Sequence, residues 1–214
     1  KINSKTKIIV LVNPNNPTAT STSEQDIVSI LERAKKYNAL VFIDEAYHEF
    51  VENSDYATMV PLTATHENIV VARTASKIHG FAGLRLGIGY GSEKWIQKIN
   101  EYITGSSNSL ALAAALASYK DPETQEFVLR KNRESKQIVY NLFDKHNVNY
   151  LQSNTNFIFF ETGIDVDEVR ERFQNHGILV GRRFEPYTTW CRVSMGKPED
   201  MQYFAEVYEK EFVS

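Results

Sequence analysis

The chain has 214 residues, of which 42% are hydrophobic and 24% are charged, and its formal net charge is −3. These proportions are typical of a folded globular protein and exclude a mainly disordered chain, which could not bury enough apolar surface to fold. Lysine and arginine are neither in excess over the acidic residues nor gathered into blocks, so no nucleic-acid partner is expected. No apolar run approaches the roughly 20 residues that cross a bilayer, so no membrane partner is expected either.

Length and cysteine content bound the organisation and the compartment. At about 100–200 residues per domain, the chain has room for one large domain or two small ones. Cys191 is the only cysteine, so nothing requires an oxidising compartment, and a cytoplasmic location is expected. Residues 1–7 lack an apolar core and are not expected to be a signal peptide. Because the chain starts without methionine, just before a buried-looking strand, we expect its start to be a cut.

The first third of the chain alternates apolar runs with a helix. Ile8–Val12 is typical of a strand covered on both faces, and residues 13–17 then force a turn. Ser23 is suited to cap the helix that follows, and two further buried strands are predicted at 39–43 and 69–72. This βαβ order predicts an α/β fold with a mainly parallel sheet.

The rest of the chain changes to helices and then to an α+β order. An Ala- and Leu-rich stretch at 108–119 and a stretch from 122 to about 146, which has proline at its first position, predict two helices. Further strands are predicted at 156–160, 178–180 and 191–194, with helices at 166–176 and 198–212. Because the βαβ rhythm ends near Asp121, we predict a large domain over 1–120 and a smaller one over 121–214.

The loop after the third strand carries the most informative side chains. It supplies two hydroxyls, an amine and a guanidinium, from Thr74, Ser76, Lys77 and Arg85. Hydroxyls and arginine suit a phosphate, and a lysine of lowered pKa can attack a carbonyl carbon to form a Schiff base. The alternative is a solvated surface loop, and a Ser-Lys pair alone does not decide between the two.

Polar residues also follow the first and second strands. Asp44 falls at a carboxyl strand end, where open α/β sheets bind ligands, and it is either a ligand-binding acid or the N-cap of a short turn over 45–50. Tyr47 would project from the same face of that turn. The Asn- and Pro-rich segment 13–18 contains Asn16 and, taken alone, is best explained as a rigid turn.

An arginine interrupts the last predicted strand. Arg192 must find an anion if it is buried, and a ligand carboxylate or an internal acid would serve. Other features have simpler interpretations. The glycines of 87–91 indicate close strand packing, the five histidines are too scattered to predict a metal site, and Glu45 and Glu49 are expected on a solvated face.

These motifs, taken in chain order, resemble the fold-type I pyridoxal-phosphate aminotransferases, and most of all the histidinol-phosphate aminotransferase branch. The matching segments are Asn-Asn-Pro-Thr at 15–18, Asp-Glu-Ala-Tyr at 44–47, the lysine loop with Gly-Leu-Arg at 83–85, and Cys-Arg-Val-Ser at 191–194. The resemblance covers essentially the whole chain. It implies the large domain of these transferases, with a three-layer, mainly parallel sheet, a smaller α+β C-terminal domain, and a homodimer.

The resemblance also implies roles toward the cofactor, pyridoxal 5'-phosphate. Lys77 matches the lysine that holds the cofactor and later moves a proton between Cα and C4′, and Asp44 matches the acid that pairs with the pyridine nitrogen. Tyr47 and Asn16 match the pair of residues that hydrogen-bond the cofactor's 3′ oxygen. Part of the group that binds the cofactor's phosphate is matched by Thr74, Ser76 and Arg85.

On the substrate side, Arg192 matches the arginine that binds the α-carboxylate, and Arg182 or Arg183 is a candidate for a substrate phosphate. The implied activity is amino transfer between an amino acid or a histidinol-phosphate-like amino-alcohol phosphate and a 2-oxo acid. A lyase or decarboxylase on the same scaffold is one alternative, and a non-catalytic truncated fragment is another.

The chain departs from the family pattern in two places. The glycine usually found after the Asn-x-Pro-Thr segment is replaced by Ala19, which is tolerable only if φ is negative there. The family's chain also begins earlier, so the N-terminal arm, the first glycine-rich phosphate loop and the aromatic residue that stacks on the cofactor ring are expected to be missing.

Overall fold

The computed structural model describes residues 1–106 and 108–213, which form two compact units. The first unit comprises residues 1–16 and 21–125, and the second comprises 17–20 and the chain from 126 onward. The segment 17–20 therefore groups with the later part of the sequence. The division into domains at 120/121 stays a prediction, because compactness alone does not show that a unit folds by itself.

The first unit is built on a four-stranded sheet. Its strands are β1 (Ile8–Val12), β2 (Leu40–Asp44), β3 (Ile69–Thr74) and β4 (Gly87–Gly91), adjacent in that order. The first three are parallel and β4 is antiparallel to β3, so the α/β prediction with a mainly parallel sheet is confirmed. A Cβ on Gly87 would lie 3.1 Å from the Arg73 carbonyl oxygen, which explains a glycine there by close strand packing.

Three α-helices belong to this unit: α1 (Glu24–Lys35), α2 (Glu93–Asn100) and α3 (Ser109–Tyr119). The predicted cap of α1 is confirmed, since the Ser23 hydroxyl accepts a hydrogen bond from the Asp26 amide at 3.2 Å. Asn108 caps α3 in the same way, through the amides of the first turn. The short helix α2 was not predicted from the sequence.

Strand β1 differs from its prediction in burial. Ile8 and Val10 are 60% and 62% exposed, whereas Ile9 and Leu11 pack against the apolar core formed by α1, β2 and β3. The two exposed side chains alternate with the two packed ones because successive residues of a strand point to opposite faces. The expectation that β1 is covered on both faces is therefore wrong.

The second unit combines helices with a two-stranded sheet. Helix α4 (Pro122–Lys145) leads into it, and β5 (Phe157–Glu161), α5 (Val166–Gln174), β6 (Trp190–Ser194) and α6 (Pro198–Phe212) follow. Strands β5 and β6 are antiparallel. This agrees with the predicted α+β order.

The strand predicted at 178–180 is absent from the described structure. Gly177 has a φ of +74° just beyond the end of α5, and the Ile178 amide donates to the Phe173 carbonyl at 3.1 Å. The amide is thus used to finish the helix, not to join a sheet. Leu179 is 83% exposed, so the apolar run did not indicate a buried strand.

The core of this unit is aromatic. Phe143 packs on Phe160 with ring centroids 4.6 Å apart, and Phe173 stacks on Phe204 at 5.0 Å. All four rings are at most 1% exposed. Contacts of this kind add to the hydrophobic stabilisation from burial, and they make the second unit tightly packed.

Candidate active site

The carboxyl ends of three parallel strands meet at one edge of the sheet. In the β1–β2–β3 register, Val12 pairs with Asp44 and Asp44 with Ala72. Backbone bonds extend the pairing one residue further, from the Asn13 amide to the Asp44 carbonyl at 2.9 Å. Such an edge is where open α/β sheets bind ligands, and the predicted groups after each strand are brought to it.

Asp44 is half-buried at the end of β2. Its Oδ1 accepts a hydrogen bond from the Ala46 amide at 3.0 Å, which orients the carboxylate at the start of the turn that follows. The local capping interaction foreseen as one alternative therefore exists. It fixes the side chain at the ligand-binding edge and is compatible with the other alternative, an acid that meets a ligand.

Lys77 and Tyr47 are brought together. Tyr47 is 5% exposed and precedes a 3₁₀ turn over 48–50, and the Lys77 Nζ lies 5.0 Å from the centroid of its ring. An ammonium group at this distance from an aromatic face is attracted to the ring's quadrupole. Two residues that the sequence placed in one site from different strand ends thus contact each other.

The hydroxyls of Thr74 and Ser76 are adjacent at the end of β3. The Thr74 hydroxyl donates to the Ser76 hydroxyl at 2.7 Å, and the Ser76 amide donates to the Thr74 hydroxyl at 3.0 Å. The next residue is Lys77. Two hydroxyl groups and a lysine side chain therefore lie within four consecutive residues at the end of β3.

Arg85 has an unusual backbone. Its φ is +54°, and it ends a 3₁₀ turn over Ala82–Leu84. A non-glycine residue in the left-handed region costs about 1–2 kcal/mol, and such conformations cluster at functional sites. The Ala75 amide donates to the Leu86 carbonyl at 3.1 Å. This backbone hydrogen bond connects the residue after Arg85 to the loop that carries Lys77.

The loop after β1 is braced by Asn13. Its buried side chain accepts from the Thr22 amide at 2.8 Å and donates to the Thr22 carbonyl at 3.2 Å. Asn16, the predicted ligand of the cofactor's 3′ oxygen, is exposed in this loop. The rigid turn predicted from the Asn and Pro residues is thus clamped by a buried amide.

Ala19 contradicts the expectation of a negative φ. Its φ is +62°, although the residue is fully buried, and its carbonyl accepts a hydrogen bond from the Asn154 amide at 2.9 Å. The chain adopts the conformation that a glycine would favour and carries the methyl group there nonetheless. Residue 19 therefore keeps the positive φ that glycine favours, although its side chain is that of alanine.

Glu45 is a second correction, because it is 1% exposed, not solvated. Its carboxylate pairs with the Arg73 Nε at 3.0 Å and accepts from the Met59 amide at 2.6 Å and the Thr58 hydroxyl at 2.7 Å. Sequence reasoning missed this buried ion pair. The signal was present, since Arg73 interrupts an apolar strand in the same way as Arg192.

In the second unit, Arg192 lies on β6 among aromatic rings. The Cζ atom of its guanidinium is 5.0 Å from the centroid of the Phe157 ring and 5.5 Å from that of Phe184. Arg182 also faces Phe184, at 4.6 Å. Two guanidinium groups therefore contact the Phe184 ring. This arrangement would concentrate positive charge for an anionic ligand.

Arg183 is engaged differently from its neighbour. It forms ion pairs with Asp165 at 2.7 Å and Glu185 at 2.8 Å, and Asp167 lies 3.8 Å away. Its hydrogen bond with Glu185, helped by the two aspartates, raises the pKa of Arg183 above its ordinary value. The charge of Arg183 is thus largely neutralised within the chain, which distinguishes it from Arg182.

A family model describing aminotransferases of class I and II matches residues 1–207. The chain belongs to this family. Histidinol-phosphate aminotransferase 1 of Bacillus cereus is 38% identical over 181 residues, which are 84% of this chain and 49% of that protein. Histidinol-phosphate aminotransferase of Bacillus licheniformis is 35% identical over 205 residues, which are 95% of this chain and 56% of that protein. The chain therefore spans about half the length of these curated relatives.

Solved structures agree with the family. The crystal structure of a proposed histidinol-phosphate aminotransferase from Erwinia carotovora atroseptica matches 96% of this chain and 60% of that one, with a TM-score of 0.92 and 33% identity. The Sinorhizobium meliloti histidinol-phosphate aminotransferase, solved in complex with pyridoxal-5'-phosphate, matches 95% and 57%, with a TM-score of 0.85 and 26% identity. The resemblance to fold-type I aminotransferases is thereby confirmed.

Helices within 1–106 and 108–213 include none that is long and apolar enough to cross a membrane. The same part of the chain contains no group of three or more His, Cys, Asp or Glu side chains arranged to hold a metal ion.

Proposed function

We propose that this chain is part of a pyridoxal-phosphate-dependent aminotransferase. It would move an amino group between an amino acid or a histidinol-phosphate-like amino-alcohol phosphate and a 2-oxo acid. The observation that carries the proposal is the contact between Lys77 and Tyr47 at the same sheet edge as Asp44, in a chain of the class I and II family.

The groups at this edge have the chemistry that pyridoxal phosphate requires. When bound, the cofactor supplies a conjugated ring that accepts the electrons of a bond broken at the substrate's Cα. Asp44 is oriented by the Ala46 amide and would keep the pyridine nitrogen protonated. Tyr47, together with Asn16, would hydrogen-bond the 3′ oxygen. The hydroxyls and the guanidinium for the phosphate are those of Thr74, Ser76 and Arg85.

Lys77 has two tasks in this proposal, and both use its Nζ. It would hold the cofactor, and it would carry the proton that leaves and later rejoins the substrate. Four carbons separate Nζ from the backbone, so the side chain must be restrained to do either with precision. The buried Tyr47 ring supplies one such restraint.

Arg192 and Arg182 are proposed to hold the substrate. Arg192 would bind the α-carboxylate of an amino acid or 2-oxo acid through two parallel hydrogen bonds. Arg182 is the better candidate for a substrate phosphate, because the acids around Arg183 already neutralise that neighbour. We further propose that the protein works in the cytoplasm as a homodimer, as the family resemblance implies.

The test is an amino-transfer assay with the chain, pyridoxal phosphate and 2-oxoglutarate. We expect histidinol phosphate to be converted and Lys77→Ala to abolish both turnover and the visible absorbance of the bound cofactor. Histidinol phosphate has no carboxyl group to lose, so the decarboxylase alternative is tested with amino acids as substrates: release of carbon dioxide from one of them without amino transfer would indicate a decarboxylase instead. Cofactor absorbance with no turnover of any amine would indicate a binding fragment.

Matched arginine variants test the substrate side. Arg182→Ala should raise KM for histidinol phosphate at least about tenfold, as expected for losing a charge-assisted contact, and leave KM for histidinol unchanged. Arg183→Ala should change neither KM by more than about twofold. A larger effect of Arg183→Ala on the phosphorylated substrate would reverse the assignment.

A further inference from the structure

The loop that carries Lys77 is closed by its own backbone. The Gly80 amide donates to the Lys77 carbonyl at 3.0 Å, and the Phe81 amide donates to the Ala75 carbonyl at 2.9 Å. These bonds give the loop a shape. They do not fix it to the rest of the unit, which requires contacts made by its side chains.

His79 makes such a contact two residues after Lys77. Its side chain is 7% exposed, and Nδ1 lies 2.8 Å from the Ser118 hydroxyl. The His79 ring also packs against that of Tyr119, with centroids 4.0 Å apart at an interplanar angle of 43°. Ser118 and Tyr119 end helix α3, so one side chain ties the lysine loop to a helix about 40 residues away.

A histidine is a costly choice for this position if packing is its only role. Within the described part of the chain, neither the His79 Nε2 nor the Tyr119 hydroxyl has a hydrogen-bond partner, although both atoms are buried. Phenylalanine at both positions would make the ring contact without leaving buried polar atoms unsatisfied. The feature that only histidine adds is the directional bond from Nδ1 to Ser118.

The protonation state of His79 suits this bond. Burial lowers the pKa of His79, an effect that the Glu49 carboxylate opposes and His48 reinforces. The ring is therefore mainly neutral at pH 7, with one nitrogen as donor and the other as acceptor. A neutral ring can exchange a single hydrogen bond with a hydroxyl without the desolvation cost of a buried charge.

We propose that His79 is a positioning residue for Lys77, locking the lysine loop to the end of α3 through its hydrogen bond with Ser118. The consequence of this inference rests on the proposed function: the fixed loop would position the Lys77 Nζ precisely relative to the cofactor. The lock itself is a property of the chain alone. A loop held at Ala75, His79 and Leu86 leaves Lys77 little backbone freedom.

Two pairs of variants separate the hydrogen bond from the ring contact. His79→Phe keeps the ring against Tyr119 and loses the bond, whereas His79→Asn places an amide near the position of Nδ1 and loses the ring. Ser118→Ala removes the hydroxyl, and Ser118→Thr retains it. Tyr119→Phe is the control, because it removes only a hydroxyl that has no hydrogen-bond partner within the described chain.

The first readout is amide hydrogen exchange of the chain without cofactor. We expect His79→Phe and Ser118→Ala to speed exchange at Gly80 and Phe81 about tenfold, while β5 and β6 are unaffected. Ser118→Thr and Tyr119→Phe should behave like the wild type. Unchanged exchange at both amides in His79→Phe would contradict the proposal that His79 holds the loop to α3, independently of any result on cofactor binding.

The second readout is the dissociation constant for pyridoxal phosphate, followed by visible absorbance. We expect about tenfold weaker binding in His79→Phe and Ser118→Ala, with recovery to within about threefold in His79→Asn and Ser118→Thr. Equal binding by the wild type and these four variants would overturn the positioning role. Failure of the wild type to bind would count against the proposed function, and the exchange measurement would still decide the lock.

Discussion

The two units differ in their cores and in how many large apolar side chains they expose: among the described residues the first unit exposes nine, whereas the second exposes five, Phe127, Leu179, Tyr187, Tyr203 and Val213. The second has an aromatic core in which the largest rings are buried against one another. The first places its core between α1 and the sheet but exposes large apolar residues on β1, β4, α2, α3 and the segment after α2. These are Ile8, Val10, Ile88, Ile99, Tyr102, Ile103, Leu110, Leu112 and Leu116.

This difference bears on which substitutions should affect stability and which should affect the proposed chemistry. The aromatic core lies in the second unit, whereas the candidate cofactor residues lie in the first unit. Helix α3 illustrates the contrast, because it is apolar on all sides and yet has three exposed leucines: Leu110, Leu112 and Leu116. We expect substitutions in the two units to have distinct effects, and one tryptophan in each can report them.

The largest effect is expected for Phe160→Ala in the second unit. Removing this fully buried ring should lower the free energy of unfolding by about 3–5 kcal/mol. Urea unfolding followed by Trp190 in a Trp95→Phe background measures it, and Tyr203→Ala, at a 47% exposed position, is the control. If Phe160→Ala shifted the Trp95 transition equally, as followed in a Trp190→Phe background, the two units would unfold as one and the comparison would fail.

The next effect is expected for Glu45→Ala in the first unit. Removal of this carboxylate leaves Arg73 without its buried partner and should cost about 3 kcal/mol. Trp95 fluorescence in a Trp190→Phe background reports the transition. Glu32→Ala is the matched control, since that carboxylate is 54% exposed and should change stability by less than about 0.5 kcal/mol. A Glu45→Ala effect no larger than the control would contradict the buried ion pair.

A smaller effect is expected for acidification. Because burial lowers the pKa of His79 in the folded chain, the unfolded chain binds the proton first as pH falls below 6.5. Stability of the first unit should therefore fall as the pH drops from 6.5 through the lower folded pKa. Glu49 and His48 of the turn over 48–50 act on the pKa of His79 through their charges, in opposite directions, and the Tyr119 ring packs against the His79 ring from α3. In His79→Phe this part of the pH dependence should vanish, and its persistence would contradict the argument.

The smallest effect is expected for Val10→Lys on β1. This side chain is 62% exposed, so a lysine at that position should change the free energy of unfolding by less than about 0.5 kcal/mol. Val41→Lys on the neighbouring strand is the contrast, because Val41 is fully buried. A loss of several kcal/mol on Val10→Lys would show that this face of β1 is covered.

The sequence predicted elements where local signals are strong. Ser23 marks the start of α1 and Pro122 that of α4, because caps and N-terminal prolines act within one turn. The polar residues after β1, β2 and β3 also reached one edge, as parallel strands require. The roles of Lys77 and its neighbours toward a cofactor stay predictions.

Long-range features were not predictable in the same way. Arg73 within an apolar strand indicates that a buried anion is needed, but no local pattern identifies Glu45 as that anion, because Arg73 and Thr58 reach it from distant positions in the sequence. His79 was one of five scattered histidines until α3 placed Ser118 beside it. The apolar run at 178–180 predicts a strand, because the sequence does not show that the Ile178 amide completes the end of the preceding helix.

The central claim is that Lys77 is the residue that holds pyridoxal phosphate. The direct test treats the chain with the cofactor, reduces it with borohydride and maps the modified lysine by peptide mass spectrometry. We expect one label per chain, on Lys77, and no specific label in Lys77→Arg. Label spread over surface lysines such as Lys35 and Lys94, or equal labelling of the Lys77→Arg variant, would contradict the account.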